Sequence, residues 1–246
     1  MKLLNIITAL LLVILISKPS HAYLDDLDGL LKDHLKTVTY SGITYNGVDY
    51  DAWKSDKRHV QVRDEILAIN PNDLNSNNAR LAYWINAYNV LTIDLIIREG
   101  ERETIKNLGG VISSPWKKHK WTINGQSKTL DSIEHDIIRK IGDARIHFAV
   151  NCAAKSCPDL RMESYRAETI NEQLDDQVRS AFENETKIYK NDEGDNQIHL
   201  TKIMDWYGED FNDGNLILWL KPYLGNAIND DTSIDFYGYD WSLNKQ

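Results

Sequence analysis

Cysteine is nearly absent from this chain: two residues in 246, Cys152 and Cys157, with four residues between them. At most one internal bridge can form, so a core has to be built from apolar side chains, and the chain is long enough for one. Basic residues are also in deficit, 28 Lys and Arg against 37 Asp and Glu, for a formal charge of -9. That balance makes nucleic acid and anionic membrane surfaces poor partners. Beyond the first two dozen residues no apolar run is long enough to cross a bilayer. There is no internal repeat, no low-complexity linker and no Gly-rich phosphate cradle, which argues against repeat arrays, strung domains and P-loop-type nucleotide binding.

What is present begins with a leader. Lys2 precedes an apolar run through Leu10 to Ile16 and then Ser20-His21-Ala22, the pattern of a secretory signal peptide over residues 1–22. An uncleaved N-terminal anchor is the alternative. No cysteine stands near the cleavage site, so lipid attachment there is not expected. The expectation is an exported protein, periplasmic or secreted, with a mature domain from Tyr23 that does not span the membrane. Loss of Lys2 and Lys18 would make it more acidic still.

Along residues 23–246 the patterns suit one domain of α+β class, helix-rich, with a small central sheet and peripheral hairpins. Helical spacing runs over Tyr23–Lys36, Lys57–Ile69, Thr129–Ile141, Glu168–Phe182, Lys202–Tyr207 and Asn215–Leu224. Ala79–Glu99 is apolar on nearly all sides and reads as a core helix, with Asn86 and Asn89 sharing a face. Buried amides need partners, so each should orient a functional group or tie down a neighbouring loop. Thr39–Trp53 suggests extended pieces with a tight turn near Gly42 and Asn46-Gly47. Asn124-Gly125 should turn a hairpin, and Thr186–Tyr189 should pair with Gln197–Leu200 across an acidic turn that lacks the spacing of a calcium loop. The aromatic tail, Ile234 to Leu243, should pack back on the domain.

Six segments, LAYWINAYNVLTI (Leu81 to Ile93), LDSIEHDIIR (Leu130 to Arg139), RIHFAVNCAAKSCPDL (Arg145 to Leu160), the segment around Tyr165, WYGEDF (Trp206 to Phe211) and YDWSLN (Tyr239 to Asn244), occur in one order. Together they resemble the bacterial branch of the domain of unknown function 547 family. The resemblance covers most of the mature chain and implies no established chemistry. Trp84, Asn86, Asn89, Glu134, His135, His147, Cys157 and Pro158 fall in the family's signature segments.

The residues themselves suggest more. Arg145–Asn151 alternates like a strand, which would set His147 beside Asn151 near the strand end that delivers Cys152. Pro158 suits the first position of a helix, which would put Cys157 at a helix N-terminus, where the dipole stabilises a thiolate. A Cys-His hydrolase or acyl-transfer mechanism, papain-like or transglutaminase-like in chemistry, can then be drawn on an amide or peptide-like substrate. Cys157 attacks, His147 or His135 moves the proton, Glu134 or Asn86 orients the histidine, and backbone amides near Ala153 to Ser156 hold the oxyanion. Trp84, Asn89, Arg139, Cys152 and Ser156 are the candidate binding residues around it, a peptide or protein is the candidate partner, and no cofactor is called for. The rival is a non-catalytic binding or assembly module stapled by a Cys152–Cys157 disulfide, which an oxidising compartment favours. Cys152, Cys157, His147 and His135 have the atoms for zinc but not a zinc spacing, so no metal is expected.

Overall fold

Leu24, Leu27, Leu30 and Leu31 recur along one helix face and all are buried. They open the structure, a computed structural model describing residues 22–246, as helix α1 (Ala22–His34). The expected leader lies outside the described residues except for Ala22.

Strands β1 (Leu35–Tyr40) and β2 (Ile43–Val48) follow as an antiparallel hairpin, turned at Ser41 and Gly42, both at positive φ. The second turn signal, Asn46-Gly47, lies inside β2 opposite Lys36 and Thr37. Gly47 serves a different purpose: a Cβ there would come within 3.2 Å of the backbone at Lys245 and Gln246. Its absence lets the C-terminal tail run against β2, where Val48 N–H donates to Asn244 O at 2.8 Å. Trp53 is not extended but sits in α2 (Tyr50–Ser55), capped by Asp49, and α3 (Lys57–Ala68) is capped by Asp56.

Helix α4 (Asn77–Glu99) starts at Ser76, whose hydroxyl accepts from Ala79 N–H, and stops at Gly100 in the left-handed conformation. Every residue from Leu81 to Ile97 is buried, as an all-round apolar helix requires. A short α5 (Pro115–Lys118) leads to strands β3 (Trp121–Ile123) and β4 (Gln126–Lys128), turned as expected by Asn124-Gly125.

Thr129 and Ser132 form a capping box that starts α6 (Leu130–Ile133). The segment stays helical to Ile141, but its pitch widens to a π-turn over Glu134–Ile138 and tightens again over Arg139–Ile141. Such π-turns cluster at functional sites because they redirect side chains.

Arg145–Asn151 is not a strand. Ala144–Phe148 is a 3₁₀ turn capped by the Asp143 carboxylate, so the strand expected over Arg145–Asn151 does not form and contributes to no sheet. All residues from Ile146 to Asn151 are buried. A short run buried on every side carries no period from which strand and helix can be told apart. Ile146 packs into one core cluster and Phe148 into the other.

Helix α7 (Ile170–Phe182) precedes a three-stranded sheet of β5 (Tyr189–Asp192), β6 (Gln197–Leu200) and a strand near the C-terminus. The first strand lies three residues later than the sequence suggests and runs into the acidic turn. After α8 (Lys202–Trp206) and α9 (Leu216–Leu224), strand β7 (Ser233–Phe236) closes that sheet parallel to β6. The fold is thus α+β, helix-rich, with small sheets. No helix among the described residues is long and apolar enough to cross a membrane.

One core gathers α1, α3, α4 and α6, and a second surrounds Phe148, Val178, Phe182 and Phe211. Between them lies a small cluster of Ala154, Cys157 and Ile203 with Cys152, Tyr207, Tyr239 and Trp241 against it. The candidate site is built on that seam.

Candidate active site

The loop carrying both cysteines is held from three sides. From α4, Asn89 Nδ2 donates to Ala149 O at 2.9 Å and its Oδ1 accepts from Asn151 N–H at 2.8 Å. Within the loop, Asn151 Oδ1 accepts from Ala153 N–H and its Nδ2 donates to Pro158 O, both at 2.9 Å. This holds Ala153 at φ +60°, a conformation non-glycine residues rarely adopt. From beyond α7, the buried Lys187 ammonium donates to Lys155 O at 3.1 Å, Cys157 O at 2.7 Å and Asp159 Oδ1 at 2.7 Å. The tail closes the third side: Lys155 N–H donates to Ser242 O at 2.9 Å and Asp240 N–H to Ser156 Oγ at 2.9 Å.

Both cysteines are free thiols in this arrangement. Cys152 N–H donates to Cys157 Sγ at 3.0 Å, and Cys152 Sγ lies 3.1 Å from the Tyr239 hydroxyl. Burial opposes the Cys152 thiolate, yet hydrogen bonds from the Cys157 thiol, the Tyr239 hydroxyl and Ala154 N–H outweigh it and lower its pKa from the ordinary thiol value. Cys157 moves the other way, pushed well up by burial and then by the neighbouring Cys152 sulfur. The thiolate expected at Cys157 is therefore favoured at Cys152 instead. Residues 158–160 form no helix, so Cys157 has no dipole to stabilise a thiolate, and it is buried where Cys152 is partly exposed.

A second group, centred on His147, reaches the same cavity as the sulfurs. His147 Nε2 bonds Asp210 Oδ2 at 2.7 Å, and Asp210 also receives Arg139 through Nε at 2.7 Å and Nη2 at 2.8 Å. The guanidinium, then the histidine, holds the Asp210 carboxyl below its usual range, so it accepts and His147 donates. That leaves Nδ1 of neutral His147 as the ring nitrogen able to take a proton. Burial lowers the His147 pKa despite Asp210, and the ring stacks on Tyr207 at 4.3 Å. A group whose folded pKa is depressed loses its stability contribution as pH falls, so His147 and Asp210 both favour the folded state more at neutral pH than in acid. Glu134, redirected by the π-turn, accepts from Tyr88 through Oε2 and from Tyr207 through Oε1, both at 2.9 Å.

These groups meet at a cavity of about 250 Å³, lined by Cys152, Cys157, Glu134, His135 and His147 on its polar side and by Trp116, Trp206, Tyr207, Tyr239 and Trp241 on its aromatic side. Residues 71–180 match the family described as Protein of unknown function, DUF547. That segment is a DUF547 region. No match was found among curated proteins or among solved structures.

The DUF547 segment supplies both cysteines, Glu134, His135, His147 and the α4 amides, while Tyr207, Asp210, Tyr239 and Trp241 come from beyond it. Of the residues singled out in the sequence, Cys157, His147, His135, Glu134 and Cys152 share the cavity. Arg139 stands behind it, with Nη1 3.1 Å from His135 Nδ1. The others are elsewhere. Asn86 pins the Tyr165 backbone through Nδ2 to O at 2.8 Å and Oδ1 from N–H at 2.9 Å, so it orients no histidine. Trp84 packs in the core edge-on to Tyr83. Asn89 lies behind the loop and Ser156 faces the tail.

The amides expected to hold an oxyanion are already engaged: Ala153 with Asn151, Lys155 with Ser242, Ser156 with Asp240, and Ala154 with the Cys152 sulfur. Among the described residues no group of three or more His, Cys, Asp or Glu is arranged to hold a metal. Sequence reasoning missed Asp210, Tyr207, Tyr239, Asn151 and Lys187. Four of these, Asn151, Tyr207, Asp210 and Tyr239, lie in segments that carried the resemblance, and that was the available signal.

Proposed function

We propose that this chain is an exported thiol-dependent hydrolase or acyltransferase acting on amide or peptide-like substrates, with Cys152 as the nucleophile. The observation that carries the reading is the Cys152 sulfur, 3.1 Å from the Tyr239 hydroxyl, at the wall of a cavity that His147 also lines, with Asp210 bonded to the His147 ring. The Cys152 thiolate attacks the acyl carbon, and the tetrahedral oxyanion takes its hydrogen bond from the Tyr239 hydroxyl. The thiol proton passes to His147 and from there to the leaving amine as the C–N bond breaks. Water or a second amine then resolves the thioester. Asp210 positions His147, and Arg139 holds Asp210 ionised. Export rests on the leader pattern of residues 1–22.

A second reading, a non-catalytic binding or assembly module, draws on the adjacency of the two sulfurs, which a disulfide would join. The test is acylation by an activated ester. Protein treated with p-nitrophenyl acetate should release p-nitrophenolate in a burst and carry one acetyl group, mapped to Cys152 by peptide mass spectrometry. An adduct on lysines alone, or none, overturns the proposal.

A further inference from the structure

Glu134 is buried and faces the cavity, yet among the described residues no Lys or Arg lies within ion-pair distance of it. Its two tyrosine partners satisfy its oxygens as acceptors but bring no charge. Arg139 is turned away into its fork with Asp210 and over the ring of Tyr207. A second carboxylate, Asp131, lines the same cavity, where Lys117 and His135 approach it no closer than 3.7 Å. Among the described residues no lysine or arginine lines the cavity.

The aromatic lining of the same cavity has the complementary property. Trp206, Tyr239 and Trp241 pack on one another with centroids 4.6 to 5.7 Å apart, and aromatic faces attract cations. The chain already uses this, with Lys106 Nζ 5.1 Å from the Trp241 ring. A buried carboxylate without a direct ion pair is costly, and one that shares a cavity with an aromatic wall forms a receptor for a positive charge. A volume of about 250 Å³ suits a single side-chain-sized group.

We infer that the cavity receives an ammonium group of the substrate, of the kind a lysine side chain carries, between Glu134 and the Trp206–Tyr239–Trp241 wall. The inference rests on the acyl-transfer reading for its meaning, since it makes the substrate an amide bearing a cationic side chain next to the bond that Cys152 attacks. The cation would also offset the Glu134 charge that opposes the Cys152 thiolate.

Binding can be separated from chemistry in the Cys152→Ser protein, titrated with n-butylammonium and with neutral 1-butanol while tryptophan fluorescence is followed. The ammonium should bind about tenfold tighter than the alcohol, and Glu134→Gln should remove most of that preference. Trp206→Leu, at a partly exposed position, keeps apolar bulk without the π face and should weaken the ammonium selectively, which holds the test open if Glu134→Gln does not fold. Equal binding of alcohol and ammonium, or a preference that survives the folded variants, overturns the inference. Cation binding that persists in a protein giving no acyl adduct overturns the enzymatic reading instead and leaves a cation-binding cavity.

Discussion

Cys152→Ala is expected to lower acyl transfer on the order of 10⁴-fold or more, as removal of a nucleophile from a coupled catalytic unit does. Cys157→Ala should leave the reaction measurable. It removes one of the three donors on the Cys152 sulfur, and a hydrogen bond to a charged group contributes enough that the thiolate should form at higher pH and the rate near neutrality fall by roughly tenfold. The check is p-nitrophenolate release by both variants, with melting temperatures to confirm folding. A reaction that survives Cys152→Ala and disappears in Cys157→Ala would restore the assignment read from the sequence.

Lys187→Met carries the largest expected loss of stability. Methionine matches the lysine in length but donates nothing, so Lys155 O and Cys157 O lose their partner inside the protein. Asp159 is partly exposed and keeps Asn46 N–H at 2.9 Å, which softens the third loss. Removing one side of a buried charged network costs about 3 kcal/mol, equivalent to a fall of about 10 °C in Tm for a chain of this size. Thermal unfolding followed by circular dichroism reads this directly. The control is Lys190→Met, at an exposed position, which should change stability by less than about 0.5 kcal/mol. Cys152 should also alkylate more slowly in Lys187→Met, because the carbonyls that shape its loop are released.

What was legible in the sequence was whatever local rules control. Helix α4 announced itself by length and apolarity, and the β3–β4 turn by Asn124-Gly125. The Cys152–Cys157 segment failed those rules, because burial on every side erased the period that would separate strand from turn. The two amides of α4 show the same limit. Asn86 and Asn89 both tie down backbone, as buried amides commonly do, but only the structure shows that one holds Tyr165 and the other the cysteine loop. Cys157 was favoured as nucleophile from its neighbour Pro158, a local cue. The groups that decide between the sulfurs come from far along the chain: Tyr239 is 87 residues from Cys152, and Asp210 is 63 from His147. No spacing rule spans such separations. Convergence of Glu134, His135 and His147 with the cysteines was posed as a question by the sequence, and the cavity contains all of them, while Asn86 stays away.

The measurement that bears most directly on the central claim is the rate of alkylation of each cysteine in the native protein as a function of pH, read by peptide mass spectrometry without reductant. Cys152 should react with an inflection below the ordinary thiol value of about 8.5, because its lowered pKa keeps thiolate present as pH falls. Cys157, with its pKa raised and its sulfur buried, should remain unmodified until the protein unfolds. Two sulfurs that react only after a reductant is added, or a Cys157 that reacts first, would contradict the account.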